Sequence, residues 1–83
     1  MSYESRVRIN GICPGLIKTD FARMLWQNSE MNERLTSRTP LARIGEPDDV
    51  GPVAAFLASP ASRFLTGQLL VVDGGTSIVD PMV

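Results

Sequence analysis

The chain has 83 residues, 43% of them hydrophobic and 20% charged, with a formal net charge of -1 at pH 7. That length holds at most one small domain, in the range where a single core is only marginally stable. A near-neutral balance with scattered basic residues offers no surface for nucleic acid or for an anionic membrane, so neither is expected as a partner. The lone Cys13 cannot close an internal disulfide, and no apolar run approaches the ~20 residues of a membrane span. The opening Met1-Ser2-Tyr3-Glu4-Ser5 has no apolar signal core and Pro81-Met82-Val83 matches no simple address signal, so an intracellular, cytoplasmic setting is expected.

Residues 1–5 are polar and carry no periodic pattern, as in a frayed terminus. Val7 to Cys13 is rich in β-branched residues and reads as a strand, which Pro14 must end because it cannot donate to a ladder. Gly15 allows the backbone to turn and to approach a ligand closely. Thr19 is a good N-cap, and Asp20 would then sit at the positive end of a helix dipole. Strand, tight turn and helix start together form the geometry with which open α/β sheets bind cofactors at the carboxyl ends of their strands.

From Phe21 to Leu35 the apolar residues Phe21, Met24, Leu25, Met31 and Leu35 recur at helical spacing, broken by Gln27-Asn28-Ser29, which predicts two short helices. By themselves Phe21, Leu25 and Trp26 read as ordinary packing. Thr39 to Gly45 is a loop, and Glu46-Pro47-Asp48-Asp49 announces a helix whose Val50, Val53, Ala54 and Leu57 form one buried stripe. Pro52 is expected close enough to the start of that helix to cost less than the ~3 kcal/mol of an interior proline. Ser59-Pro60 begins a brief turn, and Gln68 to Val72 reads as a strand buried on both faces of a parallel sheet. A right-handed crossover makes the two strands parallel and adjacent. Asp73-Gly74-Gly75 alone would suit a hairpin, but Thr76-Ser77 gives little support for a returning strand.

Asn10-Gly11-Ile12-Cys13-Pro14-Gly15-Leu16-Ile17-Lys18-Thr19 resembles the Asn-x-(Ile/Val)-x-Pro-Gly-x-(Ile/Val)-x-Thr segment of the short-chain dehydrogenases/reductases. The match continues in order through Arg43-Ile44-Gly45-Glu46-Pro47-Asp48-Asp49-Val50, Phe56-Leu57-Ala58-Ser59, Thr66-Gly67 and Val72-Asp73-Gly74-Gly75. It spans Arg6 to Thr76, leaving residues 77–83 as a tail, and corresponds to roughly the last third of a typical member. The resemblance implies an α/β fold, the C-terminal part of a Rossmann-like doubly wound parallel sheet, incomplete on its own. It implies that Pro14, Gly15, Ile17 and Thr19 hold the carboxamide of NAD or NADP, and that Phe21, Leu25 and Trp26 cover a small-molecule alcohol or carbonyl substrate. The alternative for Thr19 is that it only caps its helix. Gly15 to Trp26 is most similar to the NADP-dependent carbonyl reductase and retinol dehydrogenase group and related bacterial members.

Much of the family's chemistry has no matching position in these residues. There is no Gly-rich loop after a first strand to cradle a pyrophosphate. The family's catalytic Tyr has a Lys four residues later, but Val7 follows Tyr3 at that distance and Lys18 is the only lysine, so Tyr3 reads as an exposed terminal aromatic and no catalytic residue is assigned. Histidine is absent, no metal-ligand cluster exists, and Cys13 reads as a small buried strand residue. The segment alone is therefore expected to be inactive. In the family the last helix and strand form a subunit interface, which implies a homo-oligomer. The alternative is a non-catalytic truncated relative that associates with full-length subunits through the same elements.

Overall fold

The computed structural model describes residues 4–79, so Tyr3 and the end of the tail lie outside the described residues. In chain order the elements are strand β1 (Gly11–Pro14), helices α1 (Arg23–Gln27), α2 (Ser29–Ser37) and α3 (Pro47–Ala58), a 3-10 turn (Pro60–Ser62), strand β2 (Leu69–Val72) and helix α4 (Thr76–Val79). The two strands pair in parallel, with Gly11 opposite Leu69 and Pro14 opposite Val72. This is the expected incomplete α/β unit: a two-stranded parallel sheet joined by helices.

Strand β1 is shorter than its β-branched run and displaced toward the proline. Upstream of Gly11 the pairing turns irregular, because Gly67 at φ 73° rotates the facing backbone. There Gly67 donates to the Ile9 carbonyl (2.7 Å), the Thr66 hydroxyl accepts from Ile9 (3.0 Å) and the Asn10 amide takes the Gln68 N–H (3.0 Å). Pro14 closes the strand without needing a donor, and the next N–H, of Gly15, reaches the Val72 carbonyl at 2.9 Å.

Helix α3 begins at Pro47 as its sequence requires, and the Asp49 carboxylate accepts the Glu46 N–H at 2.7 Å. Pro52 is not near enough to the start to escape the interior cost: it lies in the second turn, where its missing N–H leaves the Asp48 carbonyl without the usual helical partner. Thr19 and Asp20 also depart from expectation. The Thr19 hydroxyl and carbonyl both accept from Ala22 N (3.2 and 3.1 Å), so Thr19 caps an isolated turn and α1 starts only at Arg23. Asp20 lies ahead of the helix and pairs with Arg23.

Burial is where expectation and structure part most clearly. Ile44, 6% exposed, is the only buried apolar residue among the described residues, and none is fully buried. In β2, Leu69 and Val71 remain 66% and 52% exposed while Leu70 and Val72 are half-buried, so the strand is covered on one face only. Of the α3 stripe, Val50, Val53 and Leu57 are half-buried and Ala54 is exposed. Cys13, opposite Val71, is exposed rather than buried. Among the described residues no further strand flanks the two-stranded sheet and no helix, α3 included, packs extensively against either strand, which leaves these positions open. The radius of gyration, 15.9 Å, exceeds the ~12 Å of a closed domain of this length.

Candidate functional site

The carboxyl ends of β1 and β2 open into a cavity of about 420 Å³. Its floor is Pro14, Gly15, Val72 and Asp73, and its walls come from Ile17, Gly45 and the end of α2 with the loop beyond it. Gly15 is required here by proximity: a Cβ at this position would lie 2.8 Å from Asp73 Cβ and 2.9 Å from Asp73 Cα. The close approach that the sequence reserved for a ligand is thus made first to the end of β2. Gly74 and Gly75 then take φ of 66° and 95°, and Asp73 accepts the N–H groups of Gly75 and Ser77 (2.9 Å each), starting α4 rather than a hairpin. These donors, Ser77 foremost, hold the Asp73 carboxyl below its ordinary pKa.

Ile17 sits in a single parallel bridge with Gly45. Gly45 donates to the Leu16 carbonyl (3.0 Å) and accepts from the Lys18 N–H (2.8 Å). In parallel pairing, the residue spanned by such a pair turns its own N–H and C=O the opposite way. Among the described residues neither of these Ile17 groups has a partner. Gly45 is held in turn by its neighbours: Asp49 accepts two bonds from Arg43 (2.7 and 2.8 Å) besides the Glu46 N–H. The Arg43 guanidinium and the Glu46 amide drive the Asp49 carboxyl far below the usual carboxylate range, and the pairing raises the pKa of Arg43.

A primary carboxamide offers one carbonyl and an NH₂, the complement of a free N–H and a free C=O on one residue. Ile17 therefore presents the pair of backbone groups that a primary carboxamide could engage. The Thr19 hydroxyl, accepting from Ala22, retains its proton for donation. Pro14, Gly15 and Ile17 line the cavity together, whereas Thr19, Phe21, Leu25 and Trp26 lie outside its lining. Phe21 and Leu25 are open to solvent, while the half-buried Trp26 donates its indole N–H to the Thr19 carbonyl at 2.9 Å.

Sequence reasoning missed several residues that build this region. The Arg8 guanidinium reaches the carbonyls of Leu57, Ser59, Ser62 and Leu65, and the Asn10 amide also donates to Leu65 (3.0 Å). A charge set between apolar Val7 and Ile9 was the available signal for Arg8, and the Glu46-x-x-Asp49 spacing for the capping contact. Nothing in the periodicity marked Leu35, Arg38 and Thr39 as cavity wall.

A family model described as Enoyl-(Acyl carrier protein) reductase matches residues 2–77. A chloroplastic tropinone reductase homologue of Arabidopsis thaliana is 47% identical over 75 residues, covering 90% of this chain and 23% of that protein. The solved short-chain type dehydrogenase/reductase from Mycobacterium ulcerans superposes with a TM-score of 0.82 at 43% identity, over 87% of this chain and 26% of that one. A gluconate 5-dehydrogenase from Burkholderia cenocepacia J2315, solved in complex with NADP and tartrate, gives a TM-score of 0.79 at 41% identity, over 86% of this chain and 28% of its own. The chain thus spans about a quarter of the length of these relatives, somewhat less than the third its motifs suggested. Motif order, strand pairing and these likenesses agree, and the chain belongs to the short-chain dehydrogenases/reductases, a family of NAD(P)-linked oxidoreductases.

Proposed function

We propose that this chain is the C-terminal part of an NAD(P)-dependent alcohol or carbonyl oxidoreductase and that it completes the nicotinamide end of the cofactor site. The observation that carries the reading is the Ile17 backbone, whose N–H and C=O stand without partners among the described residues at the wall of the cavity beyond the strand ends. When bound, the cofactor supplies hydride transfer. The chain's own residues fix the ring: Ile17 pairs with the carboxamide, the Thr19 hydroxyl adds a donor, and Gly15 keeps the strand end clear of side chains. Pro14 ends β1 at the level where the ring would lie, and Phe21, Leu25 and Trp26 border the substrate side. The test is titration of the 83-residue protein with NAD(H), NADP(H) and nicotinamide mononucleotide, followed by calorimetry and by backbone amide shifts, beside a circular-dichroism melt. Weak binding with shifts centred on Gly15 to Thr19 is expected, and shifts elsewhere or none at all would overturn the reading.

A second reading rests on the exposed sheet face. Leu69 and Val71, with Val7 and Ile9 upstream, leave an apolar strip beside two strand edges that no further strand flanks among the described residues, a template for another chain. On this reading the protein associates with copies of itself or with full-length family subunits without catalysing a reaction. A dilution series by light scattering should show association in the micromolar range, and a well-folded monomer at all concentrations would contradict it.

A further inference from the structure

We infer that Trp26 is a positioning residue, a latch that holds α1 and Thr19 in place beside the nicotinamide site; the functional meaning of the latch rests on the reading above. Helix α1 has five residues, none buried, and Phe21 and Met24 point almost wholly into solvent, so apolar contacts do little to keep it docked. Polar contacts of Trp26 do that instead. Its indole N–H reaches the Thr19 carbonyl at 2.9 Å, across the turn that Thr19 caps. The Lys18 ammonium lies 5.9 Å from the ring centroid and also pairs with Glu46 at 3.2 Å, at the start of α3. From the other side the Asn32 amide donates to the Trp26 carbonyl at 3.0 Å, fastening α1 to α2. Trp26 is therefore the residue through which the loop, α1 and α2 are all joined. Without its indole N–H, the loop keeps only the local Ala22–Thr19 and Arg23–Asp20 contacts to α1, and the Thr19 carbonyl loses the contact it accepts from the far end of that helix.

Because Trp26 is the only tryptophan, its indole proton and its fluorescence report this contact without ambiguity. In the 83-residue protein the indole N–H should exchange more slowly than a free indole, and exchange at the free rate overturns the proposal even if no variant folds. Trp26→Phe keeps a ring over Lys18 but removes the donor. One neutral hydrogen bond corresponds to about a 2- to 10-fold change in a local opening equilibrium. The amides of Ala22 and Arg23 should lose protection by that factor, while those of Gly11 and Gly15, held by the strand ladder, should not change. Equal protection in both proteins, or equal loss at all four amides, overturns the latch, since the second pattern signals only a general loss of stability. Nicotinamide mononucleotide is titrated into both proteins as a separate arm. If Ile17 fails to shift in either while the exchange pattern is as expected, the cofactor site falls and the latch stands.

Discussion

Replacing Arg8 by Met should cost more than any surface substitution of comparable size. The guanidinium makes five contacts: from Nη1 to the Ser62 carbonyl (2.9 Å), the Ser62 hydroxyl (3.0 Å) and the Leu65 carbonyl (3.2 Å), and from Nη2 to the carbonyls of Leu57 (3.1 Å) and Ser59 (3.4 Å). Leu57 and Ser59 lie at the C-terminal end of α3, where carbonyls lack helical partners and a cation is favourable. The Ser62 hydroxyl, 3% exposed as a residue, also donates toward the Leu57 and Ser59 carbonyls, so the cluster is shared rather than a set of independent bonds. Bonds to a charged donor contribute about 1.5–3 kcal/mol each in favourable settings. Sharing one side chain and partial exposure reduce the total here to about 2–4 kcal/mol, of which Met recovers only packing along the stem. For a domain of this size, 1 kcal/mol moves Tm by roughly 4–8 °C, so the expected fall is at least about 8 °C by circular dichroism. Arg8→Lys should restore less than half of it, because one ammonium cannot span carbonyls that the planar fork reaches from two nitrogens. A shift under about 2 °C for Met, or full rescue by Lys, would refute the clamp.

Other consequences follow from the loop that supports Ile17. The folded pKa of Asp49 is depressed, so its contribution to stability is complete above the unfolded carboxylate pKa of about 4 and is lost as pH falls through the lower folded value. Asp49→Asn should therefore flatten the acid limb of a stability-against-pH curve below about pH 4 while lowering stability at neutral pH; an unchanged acid limb would show that Asp49 is not the group concerned. Ala42 adopts φ 59°, a left-handed conformation that costs an L-residue roughly 1–2 kcal/mol. Ala42→Gly should raise stability by about 0.5–1 kcal/mol after the extra unfolded-state entropy of glycine is subtracted, measured by urea titration with an unchanged slope.

The sequence carried local structure well and burial poorly, and the residues show why. Pro14, the Glu46-Pro47 start, the Ser59-Pro60 turn and the apolar β2 are set by backbone chemistry within a few residues, and each appears where its own composition demands. Thr19 missed its helix by one turn because the tie that stabilises the intervening turn comes from Trp26, seven residues away. The burial expected for Cys13, Leu69 and the α3 stripe depends on layers that the described residues do not contain, so no pattern within the chain supplies it. The bridge between Ile17 and Gly45 lay beyond sequence reasoning for a similar reason, since the two residues are far apart in the chain and neither stands in a regular strand. The identity of Ile17 as a candidate came from a motif; that its N–H and C=O have no partner among the described residues came only from the pairing geometry.

That geometry also limits how strongly the chain can hold a nucleotide by itself. On the proposed reading, two neutral hydrogen bonds to Ile17 would contribute about 0.5–1.5 kcal/mol each, and a third from Thr19 a similar amount, for a total of about 2–4 kcal/mol. Millimolar affinity already requires about 4 kcal/mol, and ordering the loop subtracts from the sum. The pyrophosphate, where a dinucleotide presents its charge, has no Gly-rich loop to meet it in these residues. NADH and nicotinamide mononucleotide should consequently bind with similar, weaker than millimolar affinity, because only the part they share touches the protein. Calorimetry at micromolar protein should register no heat for either, while amide shifts at Gly15 to Thr19 should develop over tens of millimolar mononucleotide. Micromolar binding of the dinucleotide with no matching gain for the mononucleotide would refute this division, since it would require these residues to contain a seat for the pyrophosphate.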